Sequence, residues 1–244
     1  MSVVDSSLSV VLPAFNEEAN IERAVRTAAE AVAPLVSDYE LVVVDDGSRD
    51  ETSRILAKLV EELDGHLTLV SHASNQGYGK ALRSGFDASS RRLVFYTDAD
   101  NQFDLRELDA FLPLMAHHDA VLGYRVGRQD GWFRLLVSNG YNALASFAFG
   151  MSVRDLNCSF KLFRRDALTS LQLEEDHFFI DTEIVIQLHR AGYRYLQRGV
   201  KHYPRTAGRS SVRPTDVPRT FLALVKLWVR LRCQSSGRAR LARD

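Results

Sequence analysis

Glu40-Leu41-Val42-Val43-Val44-Asp45-Asp46-Gly47-Ser48 is the stretch whose reading decides the fold class. Its almost unbroken apolar run is the pattern of a strand covered on both faces in a parallel sheet, not of a strand with one wet face. It ends in two acids and a turn pair. Ile55, Leu56, Leu59, Val60 and Leu63 then recur at helical spacing, and Ser48 with Glu51 three residues on reads as a capping box for that helix.

The same alternation extends outward. Upstream, Leu8 to Leu12 predicts a strand stopped by Pro13, and Ile21, Ala24, Val25, Ala28, Val32 and Leu35 predict a helix with Asn16 as N-cap and Glu17 and Glu18 in its first turn. Downstream come a strand Leu67 to Ser71, a helix from about Lys80 to Ser89, and a strand Leu93 to Thr97 ending in Asp98-Ala99-Asp100. Strands separated by helices imply right-handed crossovers and a mostly parallel central sheet flanked by helices, an α/β fold. Past Asp119 the periodicity loosens: a strand Ala120 to Gly123, an apolar aromatic stretch Trp132 to Gly150, a strand Ser159 to Phe163, a helix Thr182 to Ala191 and a strand Tyr193 to Gly199.

At 244 residues, with 45% hydrophobic and 25% charged residues, the chain has ordinary globular composition, which excludes disordered and fibrous classes. Two cysteines, Cys158 and Cys233, can build neither a disulfide framework nor a cysteine-rich zinc site, so a reducing compartment is expected. Thirty-one basic residues balance thirty-one acidic ones, and no nucleic-acid partner is expected. The balance is uneven along the chain. From Arg219 to Asp244 seven basic residues face one acid, so this part carries +6 and the remainder, 24 basic against 30 acidic, carries −6. The first residues lack the basic region and apolar core of a secretory signal, and no window reaches the roughly 18 apolar residues of a membrane span. With no linker or repeat before the tail, the sequence divides into a body, 1–215, and a basic amphipathic helix or tail, 216–244.

Open parallel sheets bind ligands beyond the carboxyl ends of their strands. Asn16 and Glu17, Asp45 and Asp46, and Asp98 and Asp100 follow three predicted strands, so one rim collects acids and amides. Turn and cap roles explain one such site; three in register point to a binding site. Asp98 and Asp100 beside Gln102 offer the hard oxygens that suit Mg²⁺ or Mn²⁺ shared with substrate phosphates. Neither the dinucleotide-binding glycine fingerprint nor a P-loop follows the first strand.

Leu12-Pro-Ala-Phe-Asn-Glu-Glu18, Val43-Val-Asp-Asp-Gly-Ser48, Asn75-Gln-Gly-Tyr-Gly-Lys-Ala81 and Thr97-Asp-Ala-Asp-Asn-Gln102, in this order and spacing, resemble family 2 glycosyltransferases of the GT-A nucleotide-diphosphosugar transferase fold. Within that family the chain resembles the dolichyl- and polyprenyl-phosphate mannose or glucose synthases, from about Leu8 to Arg213. The resemblance implies that Pro13, Phe15, Glu17, Asp45 and Asp98 hold the nucleoside and that Asp100 and Gln102 hold Mg²⁺ or Mn²⁺ beneath the diphosphate. Arg154-Asp-Leu-Asn-Cys-Ser-Phe-Lys161 resembles the branch's segment around the acceptor, and Arg205-Thr-Ala-Gly-Arg-Ser210 resembles its element near the diphosphate. Many members carry Lys where Ser211 stands, with Arg209 or Arg213 as substitutes here.

Acceptor chemistry decides what else the site needs. A sugar hydroxyl needs a general base, whereas a lipid phosphate already carries about −1.5 to −2 and needs cations to place it. The second half supplies Arg125, Arg128, Arg154, Lys161, Arg164, Arg205, Arg209 and Arg213, with Arg125 and Arg205 in the most motif-like contexts. Asp181 and Glu183 align with an acidic position that serves as base in hydroxyl-acceptor relatives; the structural alternative for Asp181 is a helix cap. The expectation is therefore an inverting transferase with Asp100, Arg125, Arg205 and Asp181 in catalysis and Arg154, Lys161, Arg209 and Ser210 on acceptor and diphosphate. It would move a hexose from a GDP-mannose or UDP-glucose type donor to polyprenyl phosphate. Transfer to a saccharide hydroxyl, or an idle nucleotide-sugar-binding subunit, are the alternatives. Arg219 to Arg232 mixes an apolar face with cations and a Trp, as an interfacial helix does, which predicts peripheral contact with an anionic membrane at its cytoplasmic face, with or without a membrane-protein partner.

Overall fold

The computed structural model describes residues 4–63, 65–127, 132–205, 207–208 and 216–241, and side chains at these positions except 4–6, 132–135, 216–218 and 232–241. In chain order the elements are β1 Val4–Ala14, α1 Ile21–Val32, β2 Val36–Asp45, α2 Thr52–Glu62, β3 Leu67–Ser71, α3 Tyr78–Ala88 and β4 Leu93–Tyr96. Two 3₁₀ turns, Leu105–Ala110 and Leu112–Ala116, lead to β5 Ala120–Val126, α4 Trp132–Phe149, β6 Lys161–Arg164, α5 Arg165–Thr169, α6 Ile180–Arg190, β7 Tyr195–Lys201 and α7 Asp216–Leu241.

One seven-stranded sheet has the order β3-β2-β1-β4-β6-β5-β7. All its pairings are parallel except those of β6, which runs antiparallel to both β4 and β5. The chain winds outward from β1 to β3 and returns to β4 on the other side of β1. The switch point at which such sheets bind ligands therefore falls between β1 and β4. As the apolar run predicts, Val42, Val43 and Val44 are fully buried, alternate residues entering the two cores on opposite faces of the sheet. One core holds α1, α2 and the 3₁₀ turns; the other holds α3 to α7. On the second face α3 approaches closely at Gly85, where an added Cβ would stand 2.4 Å from Val11 Cγ1.

Several local readings are corrected. β1 continues through Pro13 to Ala14; its β4 partner ends opposite Val11, so by Pro13 the strand has a neighbour strand on the β2 side alone and a missing N–H is tolerated. Asn16 is not an N-cap: α1 starts five residues later, and Asn16 sits at φ 53°. Its N–H donates to Ser48 Oγ (3.0 Å) and its side chain accepts from the Arg49 N–H (2.8 Å), stitching the first two rim loops together. With Ser48 so engaged the capping box does not form. The Glu51 N–H donates to Glu18, and Asp50 accepts the first free N–H of α2, that of Thr52, at 3.0 Å. The apolar stretch from Trp132 is a helix, and both 3₁₀ turns and α5, too short for periodicity to reveal, are additions. Arg128, Arg209, Ser210, Ser211 and Arg213 lie outside the described residues.

Candidate active site

The parallel register aligns Ala14 with Asp45 and Val11 with Tyr96, so the loops after β1, β2 and β4 emerge side by side. After β4 the chain turns through Asn101 at φ 58°, a left-handed position that Asn tolerates. The Asp100 carboxylate accepts from the Gln102 N–H (3.1 Å) and from Arg205 Nη2 (3.1 Å). Arg205 Nη1 donates to both Glu17 oxygens, at 3.0 and 3.3 Å. One guanidinium thus bridges the loops after β1 and β4. Between two acids its own pKa is raised, their attraction exceeding the cost of its burial.

Asp98 lies beside this group and accepts from Tyr78 Oη (2.8 Å) and Ser159 Oγ (2.7 Å). Burial and the neighbouring Asp100 charge push its carboxyl up to about 7, against the lowering effect of the Ser159 hydrogen bond. The Tyr78 ring stacks on Phe178 at 5.3 Å, which ties Asp98 to the segment leading into α6. Gln102 is held twice, its side-chain amide donating to the Tyr203 carbonyl (2.8 Å) and its carbonyl accepting the Tyr203 N–H (2.9 Å). Asp45 is buried and accepts from the Ser48 N–H (2.9 Å) and Ser53 Oγ. Pro13 is buried opposite Val44 in the sheet, and Phe15 is half-buried.

Other predicted residues stand elsewhere. Lys161 is fully buried, not on the rim: its ammonium donates to Asp181 (2.8 Å), Tyr96 Oη (2.9 Å) and the Cys158 carbonyl (2.6 Å). Asp181 is therefore neither a cap nor an open base but the buried partner of Lys161, also accepting from Tyr96. Glu183 is buried at the α7 side, paired with Arg230 at 2.7 Å and accepting the Glu174 and Glu175 N–H groups. Arg125 forks onto Asp155 at 2.7 and 2.8 Å, and exposed Arg154 lies 4.8 Å over the Tyr124 ring.

Tyr78 and Ser159, each inside one of the sequence motifs, are supporting residues to which the sequence assigns no role, and Asp46, which it does place on the rim, joins them. Tyr78 and Ser159 hold Asp98. Asp46 accepts from the Gln76 and Gly77 N–H groups, at 2.9 Å each, and binds His72 Nδ1 at 2.7 Å, fixing the loop that carries Tyr78.

Two outcomes follow from these charges. Lys161→Met strands the buried Asp181 charge and lowers stability by about 3–5 kcal/mol in urea titration; a loss within experimental error would mean that the pair is not buried as described. For Asp98, the unfolded carboxyl ionises near pH 3.9 while the folded one keeps its proton to about 7, so stability falls as pH rises through that window. Asp98→Asn escapes this. Its melting temperature relative to wild type, measured without metal by calorimetry, rises from about pH 4 to about pH 8; a gap independent of pH would refute the assignment.

Comparison with known proteins agrees with this geometry. The family described as glycosyl transferase family 2 matches residues 9–171. Glycosyltransferase AglD of Haloferax volcanii is 31% identical over 97% of this chain and 38% of its own length. The undecaprenyl-phosphate 4-deoxy-4-formamido-L-arabinose transferase of Proteus mirabilis is 30% identical over 91% of this chain and 65% of its own length. The dodecaprenyl-phosphate galacturonate synthase of Rhizobium johnstonii is 30% identical over 90% of this chain, again with 65% of its own length covered. This chain thus spans between about two fifths and two thirds of these relatives. Among solved structures, glucosyl-3-phosphoglycerate synthase of Mycobacterium tuberculosis with Mn²⁺ and UDP-glucose superposes with a TM-score of 0.69 at 25% identity, covering 91% of this chain and 79% of that one. A sheet with its switch point between β1 and β4, an acidic rim at that point and a family match over two thirds of the chain lead to one conclusion: the chain belongs to glycosyl transferase family 2, with the GT-A fold.

Proposed function

We propose that this chain is an inverting glycosyltransferase that moves a hexose from a nucleotide diphosphate sugar to polyprenyl phosphate. The observation that carries the acceptor choice is the burial of both acids that could serve a hydroxyl acceptor as base, Asp181 against Lys161 and Glu183 against Arg230. A phosphate acceptor needs no base. Relatives named for undecaprenyl and dodecaprenyl phosphate support the same acceptor class.

In this reading Pro13, Phe15, Glu17, Asp45 and Asp98 frame the nucleoside, and Asp100 with the Gln102 side-chain oxygen holds Mg²⁺ or Mn²⁺. The donor set fits. Asp100 is a hard oxygen ligand on the loop after β4, and the Gln102 amide nitrogen is tied to Tyr203, which leaves its oxygen for a ligand. Among the described residues no three acidic, His or Cys side chains form a complete cage, so phosphate oxygens would complete the shell. A bound divalent ion would supply Lewis-acid stabilisation of the departing diphosphate. Arg205 stands ready for that same charge, and Arg125, Arg154, Arg209 and Ser210 are assigned to the phosphates of acceptor and donor. Lys161 acts from below as the fixed counter-charge of Asp181.

The tail, 216–244, is proposed as a contact with an anionic cytoplasmic membrane face. Leu224, Leu227 and Leu231 of α7 are buried against the body, while Phe221, Leu222, Val225 and Val229 are exposed. The neighbouring α4 exposes Leu136, Val137, Leu144 and Phe147, so two adjacent helices present apolar side chains outward. No helix among the described residues is long and apolar enough to cross a membrane.

Calorimetry with GDP and UDP, with and without Mn²⁺, is expected to give metal-dependent binding of one nucleotide and loss of most of it in Asp100→Asn. Sugar transferred from the matching donor is expected in the organic phase with polyprenyl phosphate; label confined to water-soluble saccharide would favour a hydroxyl acceptor. Replacing the exposed Phe221, Leu222, Val225 and Val229 of α7 by Ser, which spares its buried face, is expected to lower sedimentation with anionic liposomes while nucleotide binding persists, and unchanged sedimentation would discard the membrane contact.

A further inference from the structure

Arg205 sits on Asp100, the carboxylate that the proposed donor site gives to a metal, at Oδ2, while Oδ1 accepts the Gln102 N–H. Its guanidinium reaches Asp100 Oδ2 at 3.1 Å and Glu17 at 3.0 Å, and its side chain is only 20% exposed. The backbone on both sides is pinned. Tyr203 exchanges two hydrogen bonds with Gln102, and the Ala207 carbonyl accepts from the Asn20 side chain at 3.2 Å. Gly208 at φ 75° brings the strand of chain so close that an added Cβ would lie 3.1 Å from both Arg205 Nη1 and Asn20 Nδ2. Residues 203–205 and 207–208 therefore reach from the loop after β4 to the loop after β1 as a strap, with Arg205 as its inward-pointing charge.

Resting on the reading above, we propose that Arg205 is a placeholder cation. In the free protein it holds Asp100 against a lone divalent ion, and it gives the carboxylate up only to an ion delivered together with a nucleoside diphosphate, to whose phosphates the guanidinium then turns. The argument is an exchange of partners. Two cations in contact with one carboxylate oxygen repel each other, so a lone ion at Asp100 must evict the guanidinium. The strap keeps the evicted group in a half-buried place beside Glu17, away from bulk solvent, and a lone hydrated ion sheds its water reluctantly. A diphosphate changes the balance, because its oxygens match the guanidinium fork and replace the Asp100 contact. The site then loads its metal and its nucleotide as a unit.

The test is binding of MnCl₂ alone, followed by electron paramagnetic resonance of free Mn²⁺, to wild type, Arg205→Gln and Arg205→Lys, with thermal melts confirming that each is folded. Arg205→Gln is expected to bind Mn²⁺ alone about tenfold or more tightly than wild type, yet to bind GDP or UDP with Mn²⁺ more weakly. Arg205→Lys, a point charge that cannot fork across two carboxylates, is expected to fall between them. Equal affinity of all three for Mn²⁺ alone, with metal-dependent nucleotide binding intact in wild type, would overturn the placeholder and leave the donor site standing. Absence of metal-dependent nucleotide binding in wild type would overturn both.

Discussion

Carboxylates crowd where β1, β2 and β4 end, and each must meet a proton, a hydrogen-bond donor or a cation. Glu17 and Asp100 meet Arg205; Asp45 and Asp46 meet backbone N–H groups and hydroxyl or imidazole partners; Asp98 meets two hydroxyls and is inclined to keep its proton. A rim of this kind holds charge in reserve. It is tolerable in a fold of this size because the sheet beneath it, with β1 and β2 buried on both faces, supplies the apolar burial that offsets local repulsion.

The compensation comes in two kinds. Lys161 and Asp181 are sealed between the sheet and α6, where a broken pair leaves an unsolvated charge, so their partnership is permanent. Arg205 occupies a half-open place on a strap between loops, where its partners are exchangeable. A cation against carboxylates thus serves as foundation in one place and as a replaceable occupant in the other. Depth from solvent makes the difference.

Much of this was legible in the sequence. The apolar run into Asp45 announced a doubly covered strand, and the acids after three strands announced one rim, because period and strand order are local properties that a chain states directly. What misled was competition for the same small polar groups. Ser48 and Asn16 read as helix caps, but each found a partner on the other's loop, thirty-two residues away, a contact that neither segment advertises. Lys161 and Asp181 read as surface functional groups because charged residues mostly are. Nothing in their own segments says that Tyr96 and the Cys158 carbonyl stand ready to receive the ammonium. Tyr78 and Ser159 lie inside the sequence motifs, yet their roles stay hidden there because a hydroxyl declares none until its acceptor is known.

The turns around the rim meet main chain to main chain. At Gly47, Gly77 and Gly79 a Cβ would stand 2.3 to 2.5 Å from backbone atoms of Ser74, Asp176 and Glu175, and the Gly79 N–H donates to the Asp176 carbonyl at 2.8 Å. The outline of the cleft is therefore drawn in peptide groups, with side chains hung inside it as furnishings. Descent with modification can refurnish such a cleft for a new sugar or base, residue by residue, without redrawing its walls, and the few positions barred from change are those where the walls touch.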